Sequence, residues 1–253
     1  MLIFLVMPMS VVIPVSLTPH RYLSLPDGEI SFRHYLNLFT SEAWLSSILD
    51  SAVVAVSASA IAVTCGTLCA IGCWRLANRA TNFVRMLMLT PIIVPPIVHA
   101  LGFYQVWVEI GLIDTYLGVI LAHALIGMPF VVITVSTSLA NFDVRLEQAA
   151  RNLGASLSQT VRKVIVPCIM PGEISGGDFA FIMSWDEIVV VLFITSRAVY
   201  TLPRKMWDGI QENYDPTIAA VATALILLTF AVVFSSVMIR QRGAKAAAEA
   251  AED

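Results

Sequence analysis

Leu146-Glu147-Gln148-Ala149-Ala150-Arg151-Asn152-Leu153-Gly154-Ala155-Ser156, running on to Val164-Ile165-Val166-Pro167, is a polar interruption between two long apolar stretches of this 253-residue chain. Helix formers, then a Gly, then a second amphipathic run ending at Pro predict a helix, a sharp turn that needs glycine's backbone freedom, and a second short helix stopped by Pro167. Such an elbow suits docking into a groove of another protein. Around it, 58% of residues are hydrophobic and 13% charged, against roughly 25% charged in an ordinary soluble domain. Composition alone therefore places the chain in a membrane. A net charge of -3 gives no electrostatic case for nucleic acid, whose ligands carry a basic patch.

Crossing a bilayer takes about 20 apolar residues, and six candidate spans fall near residues 2–18, 48–73, 84–108, 116–139, 177–196 and 217–239. The fold class expected is therefore an all-α membrane protein of about six transmembrane helices, one transmembrane domain over residues 1–253, with the elbow in a loop over about 140–176. The first span is short and starts at the initiator Met without a basic flank, which leaves a start-site truncation open. With no small-residue cleavage site ahead of a globular segment, a cleaved signal peptide is disfavoured.

Lys and Arg in short loops set orientation. Arg75, Arg79 and Arg85 follow the second span without an acid, whereas Glu109 and Asp114 follow the third without a base. The first of these loops is then cytoplasmic, as are Arg145, Arg151, Arg162 and Lys163 of the elbow and Arg240, Arg242 and Lys245 of the tail. Both termini are expected in the cytoplasm, and residues 19–47 and 197–216 outside. The Ala-rich tail, Ala244 to Asp253, reads as a frayed helix or disorder.

Of four cysteines, Cys65, Cys69 and Cys73 recur every fourth residue on one helix face, beside the small-residue series Ala58, Ala62, Gly66 and Ala70. Without His or carboxylate neighbours they read as an extension of a close-packing face and not as metal ligands. The nucleotide-binding P-loop needs a Lys after Gly, and the three lysines, Lys163, Lys205 and Lys245, follow Arg, Arg and Ala. ATP, if used, must be bound by another polypeptide. No Gly-x-Ser-x-Gly elbow or His-Glu-x-x-His motif occurs, so no catalysis by this chain is expected.

The interruption resembles the cytoplasmic EAA coupling loop of inner-membrane permease subunits in bacterial binding-protein-dependent ABC importers. That pattern is Glu-Ala-Ala, three residues, Gly, and a later hydrophobic-x-Leu-Pro, and it falls on Gln148, Ala149, Ala150, Gly154, Val164, Val166 and Pro167. Gln148 stands where the family has Glu, with Glu147 one place earlier, and Val166 replaces Leu. The resemblance implies that Glu147, Gln148, Ala149, Ala150, Gly154, Ala155, Ser156 and Pro167 meet an ATPase. It further implies a second permease subunit, two ATP-binding subunits that hold ATP and Mg, a periplasmic substrate-binding protein, and no cofactor on this chain. A heterodimer of permeases in the bacterial inner membrane is the arrangement expected.

Beyond the elbow, Phe179-Ala180-Phe181-Ile182-Met183-Ser184-Trp185-Asp186-Glu187 places two adjacent acids near the middle of the predicted fifth span. Charge there is expensive and marks an aqueous path or a partner. Neighbours on a helix point about 100° apart, so one acid can face the pathway while the other caps or pairs. This stretch, with Leu202-Pro203, Asp215-Pro216, Ala219, Ala220 and Ala222, resembles the spermidine and putrescine permeases, which implies a polyamine substrate with Trp185, Asp186 and Glu187 along its path. A carboxylate beside an aromatic ring also suits an organic cation physically. The opposing structural reading is that Asp186 and Glu187 bond the partner permease or stabilise a helix break.

Pro91, Pro95 and Pro96 are expected to kink or interrupt the third span, making it a gate candidate. His99 and His123 would line the path or, on the plainer reading, be packed and satisfied. Asp178 reads as a helix-start acid at the cytoplasmic end of the fifth span. Rival functions are an ABC importer of another amine, opine, amino-acid-like solute or oxyanion, a proton-coupled secondary transporter, which would show inverted repeats, and an intramembrane enzyme.

Overall fold

A computed structural model describes residues 2–213 and 215–231, except for the side chains of residues 2–6, 8, 212 and 213. Twelve α-helices run through the described residues, which contain no strand. The chain divides into two compact units, Ser46–Lys205 and a second made of Met1–Leu45 with Met206–Asp253.

In the larger unit α6 (Tyr116–Ala140) is the central post. Its first half shares a core with α3 (Glu42–Leu76), α5 (Pro96–Ile110) and α10 (Val189–Ile194) through Val54, Ala100, Trp107, Val119, Ala122, Ile126, Val190 and Ile194. Its second half builds another with α3 and α9 (Val166–Asp186), through Ala62, Ala70, Val131, Val135, Leu139, Ile169 and Ala180. Lipid is as apolar as leucine, so helices in a membrane are held by close packing more than by water exclusion. The α6–α9 seam is made that way. A Cβ added at Gly176 would sit 2.8 Å from Val131 Cα, one at Gly172 2.8 Å from Thr134 O, and one at Gly127 3.0 Å from Ala180 Cβ. The small-residue stripe on α3 behaves likewise, with Ala58, Ala62 and Ala70 buried and a Gly66 Cβ 2.9 Å from Val131. Cys65 is exposed beside it, while Cys69 and Cys73 are half-buried thiols.

The ends of the bundle near the start of α6 are tied by two acids. Asp114, in a left-handed backbone conformation, accepts from Ser196 N at 2.7 Å and from Arg197 N and Ala198 N at 3.0 Å, while its own N–H donates to Ile194 O at 2.8 Å. Desolvation by itself would raise its carboxyl, but those amides and the Arg204 charge outweigh it and hold the group below its ordinary value. Asp50 accepts Tyr116 OH at 2.6 Å and Tyr200 N at 3.1 Å, and Ser51 Oγ takes Leu202 N at 2.7 Å at the start of α11 (Leu202–Asp208). In the smaller unit α1 (Leu2–Ser16) meets α2 (Arg33–Thr40) by Ser16 Oγ to Tyr35 OH at 2.7 Å, and Asn37 donates to Thr217 Oγ1 at 2.8 Å at the start of α12 (Thr217–Ala231).

Several sequence expectations hold and several change. The fourth span is found as α6, the second is longer at both ends as α3, and the third is broken into α4 (Arg79–Ile93) and α5, bent by 109° at the prolines. By length and apolarity three helices are fit to cross a membrane, or four with the bent pair, and α1 and α12 are shorter. Residues 232–239 of the sixth candidate span and the 240–253 tail lie outside the described residues. The fifth span is corrected. It does not begin at residue 177; helix is continuous from Leu157 to Asp186. Pro167 does not stop it, because α8 (Leu157–Thr160) passes through a π-turn over Val161–Ile165, where Val166 N–H reaches back five residues to Val161 O. A proline's missing N–H is tolerated next to such a shift in bonding. Asp178 is consequently an exposed acid inside α9 and not a helix-start residue.

Candidate functional sites at the helix break and the elbow

At the α4–α5 break the helix stops at Val94, whose N–H closes on Thr90 O at 3.2 Å, and restarts with Pro96. A cavity of about 150 Å³ lies here, lined by Pro91, Ile92, Val94, Pro96 and His99 of the break, Ile126 and Phe130 of α6, and Met183 and Glu187. Interrupted backbone at membrane depth is stable only where it is buried in protein or lines a cavity. The two acids are not mid-helix. Asp186 is the last residue of α9 and is exposed, while Glu187 is the first residue past it and turns its Oε1 to Val190 N at 2.9 Å, capping α10. The span is thus broken at the acids, since a carboxylate that caps a new helix start satisfies amides the break exposes.

The structure brings Pro96, His99 and Glu187 to one cavity and leaves Pro95, Trp185, Asp186 and His123 off its lining. Trp185 stacks on Phe181, centroids 5.7 Å apart. His123 is 2% exposed, with Nδ1 2.8 Å from Ser184 Oγ across the α6–α9 seam and Nε2 without a partner among the described residues. Phe130 and Met183 join the lining without a sequence signal, since each is an ordinary apolar residue of its span.

The elbow is a helix end of defined chemistry. α7 (Val144–Asn152) begins at Asp143, whose side chain takes Arg145 N at 2.9 Å. It ends in a paired return: Ala155 N–H to Ala150 O at 3.1 Å and Gly154 N–H to Arg151 O at 3.0 Å, with Gly154 at φ +87°. Ser156 and Gln159 then cap α8 reciprocally, Ser156 N to Gln159 Oε1 at 2.8 Å and Gln159 N to Ser156 Oγ at 3.3 Å. The result is a concave surface of about 360 Å³ over Ala150, Leu153, Gly154, Ala155, Gln159, Lys163 and Val164, with Leu153 89% exposed at its rim. Gln148 and Ala149 are exposed, and so is Pro167. Glu147 forms a partly buried ion pair with Arg75 at the end of α3. In the sequence Arg75 is an orientation charge, and nothing in the spacing of residues 75 and 147 foretells their pairing.

Residues 62–243 match the family described as binding-protein-dependent transport system inner membrane component. The chain belongs to that family. It is 28% identical to the spermidine/putrescine transport system permease protein PotC of Haemophilus influenzae, over 94% of this chain and 93% of the relative, and 29% identical to PotC of Escherichia coli K12, over 93% and 89%. It is also 27% identical to the trehalose transport system permease protein SugB of Mycobacterium tuberculosis, over 94% and 89%. A crystal structure of a bacterial ABC transporter involved in the import of the acidic polysaccharide alginate superposes with a TM-score of 0.70 at 15% identity, covering 94% of this chain and 91% of that one. That likeness concerns the fold. This chain is accordingly a permease component of an ABC importer of the inner membrane.

Proposed function

We propose that the chain carries a polyamine such as spermidine or putrescine inward, past the α4–α5 break, by alternating access driven by separate ATPase subunits that hold ATP and Mg. The observation that carries the substrate class is Glu187, a carboxylate placed with Phe130 at a cavity inside a membrane bundle. An acid and an aromatic face together favour an organic ammonium. The PotC relatives support the same class. SugB, of comparable identity, makes a neutral solute the competing reading, and for such a solute Glu187 would serve only as the cap of α10.

On this reading the elbow, with Leu153 foremost, docks in a groove of one ATPase, and closure of the ATPases biases a two-state gate. The termini lie in the cytoplasm, a related permease completes the pathway, and a periplasmic binding protein delivers the solute. The test is ATP hydrolysis by the chain co-purified with its neighbouring permease and ATPase in nanodiscs, with binding protein loaded with spermidine, putrescine or neither. Stimulation by the polyamine-loaded protein is expected. A stable complex indifferent to polyamines removes the substrate class, and failure to bind an ATPase removes the reading of the elbow.

A further inference from the structure

The prolines at the break do more than bend the span. In a continuous helix the carbonyls of Pro91 and Ile92 would accept from the amides four residues on, which belong to Pro95 and Pro96 and carry no hydrogen. Of the neighbouring amides, Val94 N–H closes on Thr90 O at 3.2 Å and Val98 N–H on Pro95 O at 2.9 Å. Two adjacent carbonyls therefore end α4 without helical donors, at the negative end of its dipole. Pro91 and Ile92 border the same cavity as Glu187. Among the described residues, Glu187 commits Oε1 to Val190 and makes no hydrogen bond through Oε2.

Carbonyls without donors are costly at membrane depth, and a primary ammonium brings three donors and a positive charge. We propose that the Pro91 and Ile92 carbonyls and the Glu187 carboxylate form one transit site for a primary ammonium group, with Phe130 as its aromatic wall. The site rests on the polyamine reading above and adds the main chain as its second half. It favours primary ammonium over quaternary ammonium, which could use the acid and the ring but has no N–H for the carbonyls.

The double variant Pro95→Ala/Pro96→Ala supplies the missing amides and removes the acceptors while leaving Glu187 in place. In proteoliposomes holding the assembled transporter, its spermidine uptake is expected to fall about tenfold, the scale of losing hydrogen bonds to a charged group. Uptake equal to wild type in the double variant, with loss only in Glu187→Gln, overturns the main-chain half. Because the prolines also shape the break, Ile92→Cys in a chain whose four cysteines are Ser reads the same place without touching them. Spermidine is expected to slow its reaction with a cationic methanethiosulfonate severalfold, and unchanged labelling overturns the site. A wild-type complex that imports neither spermidine nor putrescine sinks the polyamine reading itself, a result distinct from normal import with an indifferent variant.

Discussion

Along α6, the seam with α9 and the contact with the α4–α5 break are built from opposite materials. The seam uses glycine to bring two backbones within van der Waals reach, with Gly172 and Gly176 facing Thr134 and Val131. The break uses proline to remove amides, so the chain there turns by 109° and leaves a cavity. A seam that tight has one low-energy register, because interiors respond to added volume by shifting backbone. A break with few internal hydrogen bonds has several accessible geometries. On the proposed alternating-access reading, the difference says where motion costs least: α6 and α9 would move as a pair, against the α4–α5 break.

The most damaging way to break that contrast is Gly176→Leu. The new side chain meets Val131 backbone, so a loss of about 3 kcal/mol or more is expected, at the upper end of overpacking effects. It would be read as failure to assemble with the ATPase or as a collapsed melting temperature in detergent. Second in size is the ion pair that ties the elbow to α3. Arg75→Glu or Glu147→Arg alone should cut uptake about tenfold, in line with about 1.4 kcal/mol for a partly buried pair, and the double reversal should recover most of it in the same transport assay. Two single variants that transport normally would remove the pair from the coupling path.

Gly154→Val tests the elbow's turn. Its φ of +87° is strained for a β-branched residue by roughly 1–2 kcal/mol, and an inserted but uncoupled transporter is expected, seen as basal ATP hydrolysis that no longer drives uptake. Smallest is Asp114→Asn, which sharpens the comparison by loosening the end of the bundle away from both seam and break. Since its folded carboxyl lies below the ordinary 3.8, the clamp is present above that pH and lost as pH falls through the lower folded value. The group is largely solvated, so wild type and variant should differ by at most about 2 °C in melting temperature at neutral pH and converge in acid. A difference that grows on acidification would contradict the clamp.

What the sequence made legible was whatever a short window encodes. Apolar length located α6 to within a residue, Pro95-Pro96 announced the break, and Gly154 between helix formers announced the turn. What it hid depended on partners far along the chain or on a change in hydrogen-bond pattern. Pro167 read as a stop because a window cannot foresee that a π-turn will carry the helix past it. The acid pair seemed mid-span for the same reason, since the true start of α9 lay beyond an apparent boundary. No window around Glu147 shows that Arg75 stands opposite it.

The unbroken helix from Leu157 to Asp186 spans 30 residues, about 45 Å at the helical rise. It starts at the cap beside the elbow and stops one residue short of the carboxylate at the cavity. Mechanically this is a rigid rod, locked to α6 along the glycine seam, with the elbow at one end and the cavity at the other. On the reading proposed above, a push at the Ser156 cap reaches Glu187 with no loop between to absorb it. On that reading the carboxylate proposed to meet the solute is also the far end of the rod that the elbow moves.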